Sequence, residues 1–328
     1  MNETMRQRRV LLLLKRSILD IYRSRERLEK SAIGGVASPI FSQPQMLGNL
    51  MDRHRAHEDA VQLCKDVLER KTNVQWCLLR EELNTRIRDV DLVVTVGGDG
   101  TLLQASHHLD DSIPVLGVNS DPTRPNEVEE KLEQYDANRS TGHLCATSAD
   151  TFQQVLDEIL EGGREPTQLS RISTRVDGIE IGTPALNDVL LAHPNPAAVS
   201  RCAFSISKAG EVAASTLTVH CRSSGMRVCT GAGSTAAMRS AGGYPMDQQS
   251  PDLQYMVREP ISPHPRLKDY LHGWVRPSEV MSVQWGCRRG MLYFDGSHLV
   301  HEINFGSSIQ FSSNAPALKI FVRPNQNL

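Results

Sequence analysis

Residues 92–109, LVVTVGGDGTLLQASHHL, join a β-branched apolar run to a segment with Leu102, Leu103, Ser106 and Leu109 at helical spacing, through five residues of which three are glycine. A strand that turns over glycines straight into a helix opens a βα unit, and commits this part of the chain to a parallel sheet with covering helices. The surrounding sequence agrees. RVLLLLK reads as a buried strand, His57 to Arg70 carries Val61, Cys64, Val67 and Leu68 at helical spacing, and Ile113 to Val118 reads as a further strand. A polar, helical stretch follows the first strand and is broken by the Gly/Pro/Ser-rich residues 33–45.

After residue 140 the pattern changes. The helix-like DTFQQVLDEILEG leads into short alternating segments, and both ISTRV-DG-IEIG and MLYF-DG-SHLVHEI read as hairpins, Asp-Gly supplying the positive φ values of a type I′ turn. The expected fold is therefore an α/β N-terminal domain, residues 1–140, followed by a β-rich C-terminal domain, residues 141–328. The break falls between Val118 and Ser148, where Pro122 and Pro125 stand among charged residues.

With 36 basic against 38 acidic side chains in 328 residues, the formal charge of −2 gives no reason to expect nucleic acid or an anionic membrane as partner. The seven cysteines are scattered, without a C-x-x-C pair or metal-ligand spacing, so neither a disulfide framework nor a zinc site is expected and a reducing, cytoplasmic setting fits. Val10 to Leu14 is too short an apolar run for a membrane span and lacks a signal-peptide pattern, and Gln326-Asn327-Leu328 does not match the peroxisomal tripeptide. His107 and His108 are adjacent and point to different helix faces, so no metal site is assigned to them. The basic runs Met5 to Arg9 and Arg23 to Arg27 read as solvated faces, and no G-x-S-x-G elbow supports a hydrolase.

The chemistry lies in three segments. Gly97-Gly98-Asp99-Gly100-Thr101 offers backbone N–H groups at the positive end of a helix, a setting that binds phosphate without a lysine, and its glycines let phosphate approach the main chain. Asp99 is its single charged group, suited to take a proton from an attacking hydroxyl or to help place magnesium. Taken alone, Asp-Gly is also an ordinary tight turn. No Walker-type G-x-x-x-x-G-K-[ST] is present, which excludes a P-loop mechanism. Asn187-Asp188, inside the apolar run ALNDVLL, must be hydrogen-bonded if buried, and reads either as a strand-end turn or as a contact to a dinucleotide's ribose or base. Residues 230–243, TGAGSTAAMRSAGG, concentrate small and hydroxyl side chains that let a flat ligand lie on the backbone or let a helix pack tightly. Gly231-x-Gly233-x-x-Ala236 also fits a loose dinucleotide fingerprint, but no apolar strand precedes Asp252 as a Rossmann unit requires.

GGDGT, LND and GSTAAMRSAGG, in that order, resemble the NAD kinase family, whose matching segments read GGDGT, N-[DE] and GSTAY followed by small residues; LGVNSDPT, CRSSGMRVCT and MVREPISP look like its plant NADH kinase branch, which favours NADH over NAD. The resemblance spans residues 90–322. It implies an ATP-dependent kinase using Mg2+ or another divalent cation, a homodimer, and NADH or NAD bound between two domains. By position, it makes Asp99 the base for the adenosine ribose 2′-hydroxyl, Gly97, Gly98, Gly100 and Thr101 the phosphate cradle, and Asn187, Asp188, Thr235, Ala236 and Ser240 the dinucleotide contacts.

Three positions depart from the family pattern. Ala237 replaces the tyrosine of GSTAY, Ser224-Gly225 stands where an Asp-Gly commonly precedes that segment, and SDPTRPNEVEE replaces the GxLGF segment after Asn119. Two rival readings follow. A lipid kinase of the diacylglycerol or sphingosine type shares GGDGT but not the other two segments, and a non-catalytic NAD(P)(H)-binding protein would bind without turnover.

Overall fold

The computed structural model describes residues 8–24, 44–122, 142–209, 217–261 and 265–323. The segment from Thr123 that replaces GxLGF, and the basic residues before Arg8 and after Ser24, lie outside the described residues. The chain divides into two compact units. One runs to Pro166 and regains the chain at Ile320; the other is Thr167–Lys319. This division lies beyond the boundary read at residue 140, because the helix Phe152–Leu160 buries Phe152, Val155, Leu156 and Ile159 in the same core as Val94 and Leu116.

The first unit is a parallel sheet. Its elements are β1 (Arg9–Leu14), α1 (Pro44–Lys71), β2 (Asn73–Leu79), β3 (Leu92–Gly97), α2 (Asp99–Ser106), β4 (Val115–Asn119), β5 (Thr147–Ser148) and α3 (Phe152–Leu160). The strands lie in the order β2-β1-β3-β4, and β5 and the late strand Leu318–Phe321 (β19) also pair with β4, all in parallel. Every residue of β3 and β4 is buried, as continuous apolar runs in a sheet covered on both faces should be. Helix α1 buries Val61, Cys64, Val67 and Leu68, the stripe that the spacing predicts. It begins at Pro44, well before His57, since proline is tolerated in the first turn of a helix and Leu47, Leu50 and Met51 continue the helical spacing upstream. Because β1, β3 and β4 are parallel, their carboxyl ends share one edge, where α2 begins.

The short strand β6 (Thr167–Leu169) neighbours β19 in the seven-stranded sheet, and the second unit holds two antiparallel sheets. One contains β7 (Ser173–Val176), β8 (Ile179–Glu180), β10 (Ser200–Lys208), β11 (Val219–Ser223), β15 (Glu279–Trp285) and β18 (Ser308–Ser312), in the order β11-β10-β15-β18-β7-β8. The other contains β9 (Asp188–Ala192), β12 (Gly225–Cys229), β13 (Leu253–Arg258), β14 (His272–Val275), β16 (Arg289–Phe294) and β17 (Leu299–Asn304), in the order β14-β13-β12-β9-β16-β17. Phe204, Val283, Trp285 and Phe311 of the first share one core with Val189, Leu191, Tyr255 and Phe294 of the second, which makes the unit a β-sandwich.

Both expected hairpins form. Val176 pairs with Ile179 across Asp177-Gly178, whose φ values of 52° and 81° suit a type I′ turn. The second closes Phe294 on Leu299, so its loop has two more residues than Asp295-Gly296 alone. Among the described residues no helix is long and apolar enough to cross a membrane.

Candidate active site

In the first unit the glycine-rich turn is built by contact between β3 and α2. A Cβ on Gly97 would lie 2.3 Å from Thr101 Oγ1 and 3.0 Å from Lys15 Cβ, so only glycine lets the first turn of α2 fold down onto the strand end. Gly98 is the N-cap in extended conformation, no side-chain cap hydrogen bond closes the helix start among the described residues, and Asp99 is the acidic residue of its first turn. Gly100 is exposed, and a Cβ there would meet nothing within 4 Å. Thr101 donates its N–H to Gly98 O at 2.9 Å, and its Oγ1 is buried, with no partner among the described residues.

The Asp99 carboxylate is fixed. Its Oδ2 accepts the His143 N–H at 3.0 Å and its Oδ1 the Leu144 N–H at 2.9 Å, with Cys145 Sγ at 3.7 Å from Oδ1. Two backbone donors and the Cys145 thiol orient the group. Burial first, and then the Asp99 charge, hold the Cys145 thiol well above the ordinary cysteine range, so Cys145 stays protonated beside the carboxylate. The loop is held in register because Gly142, at φ +69°, crosses directly over Asn119, whose Nδ2 would be 2.4 Å from a Cβ there.

In the second unit the Asn-Asp segment is pinned by a residue that sequence reasoning did not select. Asp295, 7% exposed in the β16–β17 loop, accepts the backbone N–H groups of Leu186 at 2.8 Å, Asn187 at 2.7 Å and Asp188 at 3.0 Å. More than a hundred residues separate the partners, so the only local signal was an Asp-Gly turn. Asp188 opens β9 and pairs with Arg227 of β12. Burial raises its pKa to about 6; Arg227 opposes the rise and Asp295 adds to it. Asn187 Oδ1 is buried and has no partner among the described residues, which leaves an amide oxygen for a donor that the described protein does not supply.

The glycines of residues 230–243 serve packing first. A Cβ on Gly233 would lie 2.0 Å from Asn187 O, and one on Gly231 2.1 Å from Asp247 O. This close approach brings Asn187 against the segment that follows it, and Thr230 N–H donates to Asn187 O at 3.0 Å. Thr235 is half-buried, while Ala236, Ala237 and Ser240 are exposed on and before the short helix α4 (Ala237–Ser240), so this stretch presents small side chains to solvent. Ser224 lies at the corner between β11 and β12, where the chain passes from one sheet to the other, with its N–H on Arg258 O at 3.1 Å. Gly225 at φ +139° completes the corner.

An uncapped helix start with a fixed carboxylate, on a chain that also carries a sandwich with a pinned Asn-Asp turn, is what the segments resembling the GGDGT kinases fold into. Comparison with known proteins narrows this. Residues 10–121 match the family model described as the ATP-NAD kinase N-terminal domain. A probable NADH kinase of Oryza sativa subsp. japonica is 52% identical over 285 residues, which cover 87% of each chain. An NADH kinase of Arabidopsis thaliana is 48% identical over 292 residues, 86% of this chain and 89% of that one. The fold is shared with an NAD kinase from Archaeoglobus fulgidus solved in complex with ATP (TM-score 0.62, 17% identity, 97% and 94% of the two chains). It is shared equally with yeast NADH kinase complexed with NADH (TM-score 0.63, 17% identity, 98% and 85%). The chain belongs to the NAD kinase family.

Proposed function

We propose that this protein is an NADH kinase, which transfers the γ-phosphoryl group of ATP to the 2′-hydroxyl of the adenosine ribose of NADH and releases NADPH and ADP, with NAD a poorer acceptor. The observation that carries the mechanism is the Asp99 carboxylate, held by two backbone amides in the first turn of an uncapped helix. In this reading the amides at the start of α2 receive the phosphates, and Asp99 takes the ribose proton as the hydroxyl oxygen attacks phosphorus. Asn187, Asp188, Thr235, Ala236 and Ser240 hold the dinucleotide. The choice of NADH follows the two plant relatives, both named NADH kinases.

A divalent cation, magnesium in the simplest case, accompanies ATP and neutralises its phosphates. Among the described residues the one group of three metal-ligating side chains is Asp20, His54 and Glu58, which does not include Asp99. In this reading the cation would be held chiefly by phosphate oxygens and water. We infer a homodimer whose contacts include the apolar side chains that the second unit exposes, Phe305 and Val300 among them, a state that sedimentation measures. The cysteines, all unbonded, suit a reducing compartment such as the cytoplasm.

Purified protein with ATP, magnesium and NADH should form NADPH, and with NAD should form NADP more slowly. Formation of neither product overturns the assignment, and faster phosphorylation of NAD overturns the stated preference.

A further inference from the structure

Lys15 follows β1 directly. Its N–H donates to Val96 O at 3.1 Å, which sets it level with Gly97, and its Cβ is the side-chain carbon closest to that glycine after the contact with Thr101. It therefore stands at the carboxyl edge of the parallel strands, beside the turn that opens α2, the place where open α/β sheets bind ligands. The side chain is half-buried and lines a hollow of about 30 Å³ with Arg53, His54, His57, Ser120 and Asp121.

The charges in this hollow do not balance around Lys15. Arg53 has its own carboxylate in Asp121 at 3.0 Å, and Arg80, whose charge Lys15 also feels, has Glu81 at 3.0 Å. Lys15 has no ion pair and no side-chain hydrogen bond among the described residues. His57 is buried, with Nε2 on Lys15 O and Nδ1 on Ser120 Oγ, both at 2.8 Å, so it offers no negative charge. Burial, then Arg80 and Arg53, lower the pKa of Lys15, while the more weakly felt Asp121 opposes them. A half-buried ammonium among other cations is costly in the free protein, and an anion arriving beside it removes that cost.

We propose that Lys15 binds the phosphate chain of the nucleoside triphosphate donor, meeting a non-bridging oxygen from the β1 side while the amides at the start of α2 meet others. The proposal rests on the reading of the Gly97–Thr101 turn as the phosphate site. It adds a cation to a turn that contains none.

The test uses the full-length chain with Lys15→Met and Lys15→Arg, with Gly100→Ala as control. Lys15→Met should lower kcat/KM for ATP on the order of 10- to 100-fold, the worth of one hydrogen bond to a charged group, and leave KM for NADH within about twofold. The rise in Tm produced by magnesium-ATP should shrink, while the Tm of the free protein should stay level or increase, because a poorly solvated charge has been removed. Lys15→Arg should retain more ATP affinity than Lys15→Met. Unchanged ATP kinetics in Lys15→Met overturns the proposal, as does a lower Tm of the free protein with equal losses toward both substrates, which would make Lys15 a structural strut. If Gly100→Ala loses ATP kinetics while Lys15→Met is normal, Lys15 alone has failed; if Gly100→Ala also keeps normal ATP kinetics, the phosphate-site reading itself has failed.

Discussion

Replacing Gly100 by alanine separates stability from activity at the phosphate cradle. Gly100 is the second residue of α2, is exposed, has no positive φ, and leaves open space where a Cβ would stand. In the free protein the substitution therefore meets no steric obstacle and gains helix propensity, about 0.5–1 kcal/mol. For a unit of this size that raises Tm by roughly 1–4 °C. With ATP bound the same methyl lies where phosphate oxygens must come within about 2.9 Å of the main-chain N–H groups. Displacing the phosphates on the order of 1 Å is enough to cost about 100-fold in rate. Scanning fluorimetry with and without magnesium-ATP, together with initial rates of NADPH formation, reads both effects. A variant that is as active as the wild type would show that phosphate does not approach Gly100, and a lower Tm in the free protein would show that the space around it is not open.

Gly233→Ala places a methyl 2.0 Å from Asn187 O, a main-chain atom with no freedom to yield, and should destabilise the second unit by about 3 kcal/mol or more in chemical unfolding. Asp295→Asn removes the charged acceptor of three amides, so a loss of roughly 2–3 kcal/mol and a higher KM for NADH are expected; an unchanged KM would disconnect Asp295 from the Asn187-Asp188 turn. Asp188 titrates near 6 in the folded protein against an ordinary 3.8, so the folded state binds its proton more tightly than the unfolded chain. Its contribution is thus fully favourable at the acid end and declines as pH rises from about 4 to about 6, by about 3 kcal/mol in all. His57, whose pKa is lowered by burial, acts oppositely, losing stability as pH falls below about 6.5, so the Asp188 effect is read as the wild-type curve minus that of Asp188→Asn. A flat difference across that window contradicts the assignment.

The first unit was readable because its signals are local. LVVTV followed by glycines and a leucine-spaced helix is decided within 18 residues, and the structure places β3 and α2 there. The Asp177-Gly178 hairpin was equally local, since positive φ at two adjacent positions is a property of the dipeptide. What escaped depends on long-range approach. Gly231 and Gly233 look like a ligand loop in sequence, yet each is required by a carbonyl of another segment, Asp247 and Asn187. Asp295 looks like a turn residue, and its part in fixing Asn187 exists only once β16 lies beside β9. The packing of the Thr101 hydroxyl over Gly97 is likewise invisible in the motif, since it exists only once α2 folds back on β3. The edge of the first unit moved for the same reason, because the buried face of α3 belongs to the core of the parallel sheet.

The account depends most on a carboxylate fixed by the His143 and Leu144 amides acting as the base for a ribose hydroxyl. The direct measurement is kcat for NADPH formation by Asp99→Asn at saturating ATP and NADH, with the Tm shift on adding each substrate recorded in parallel. The expected result is a fall of about 10²- to 10⁴-fold in kcat with both substrate-induced shifts preserved. A kcat within about threefold of the wild type, with both substrates still bound, would contradict it.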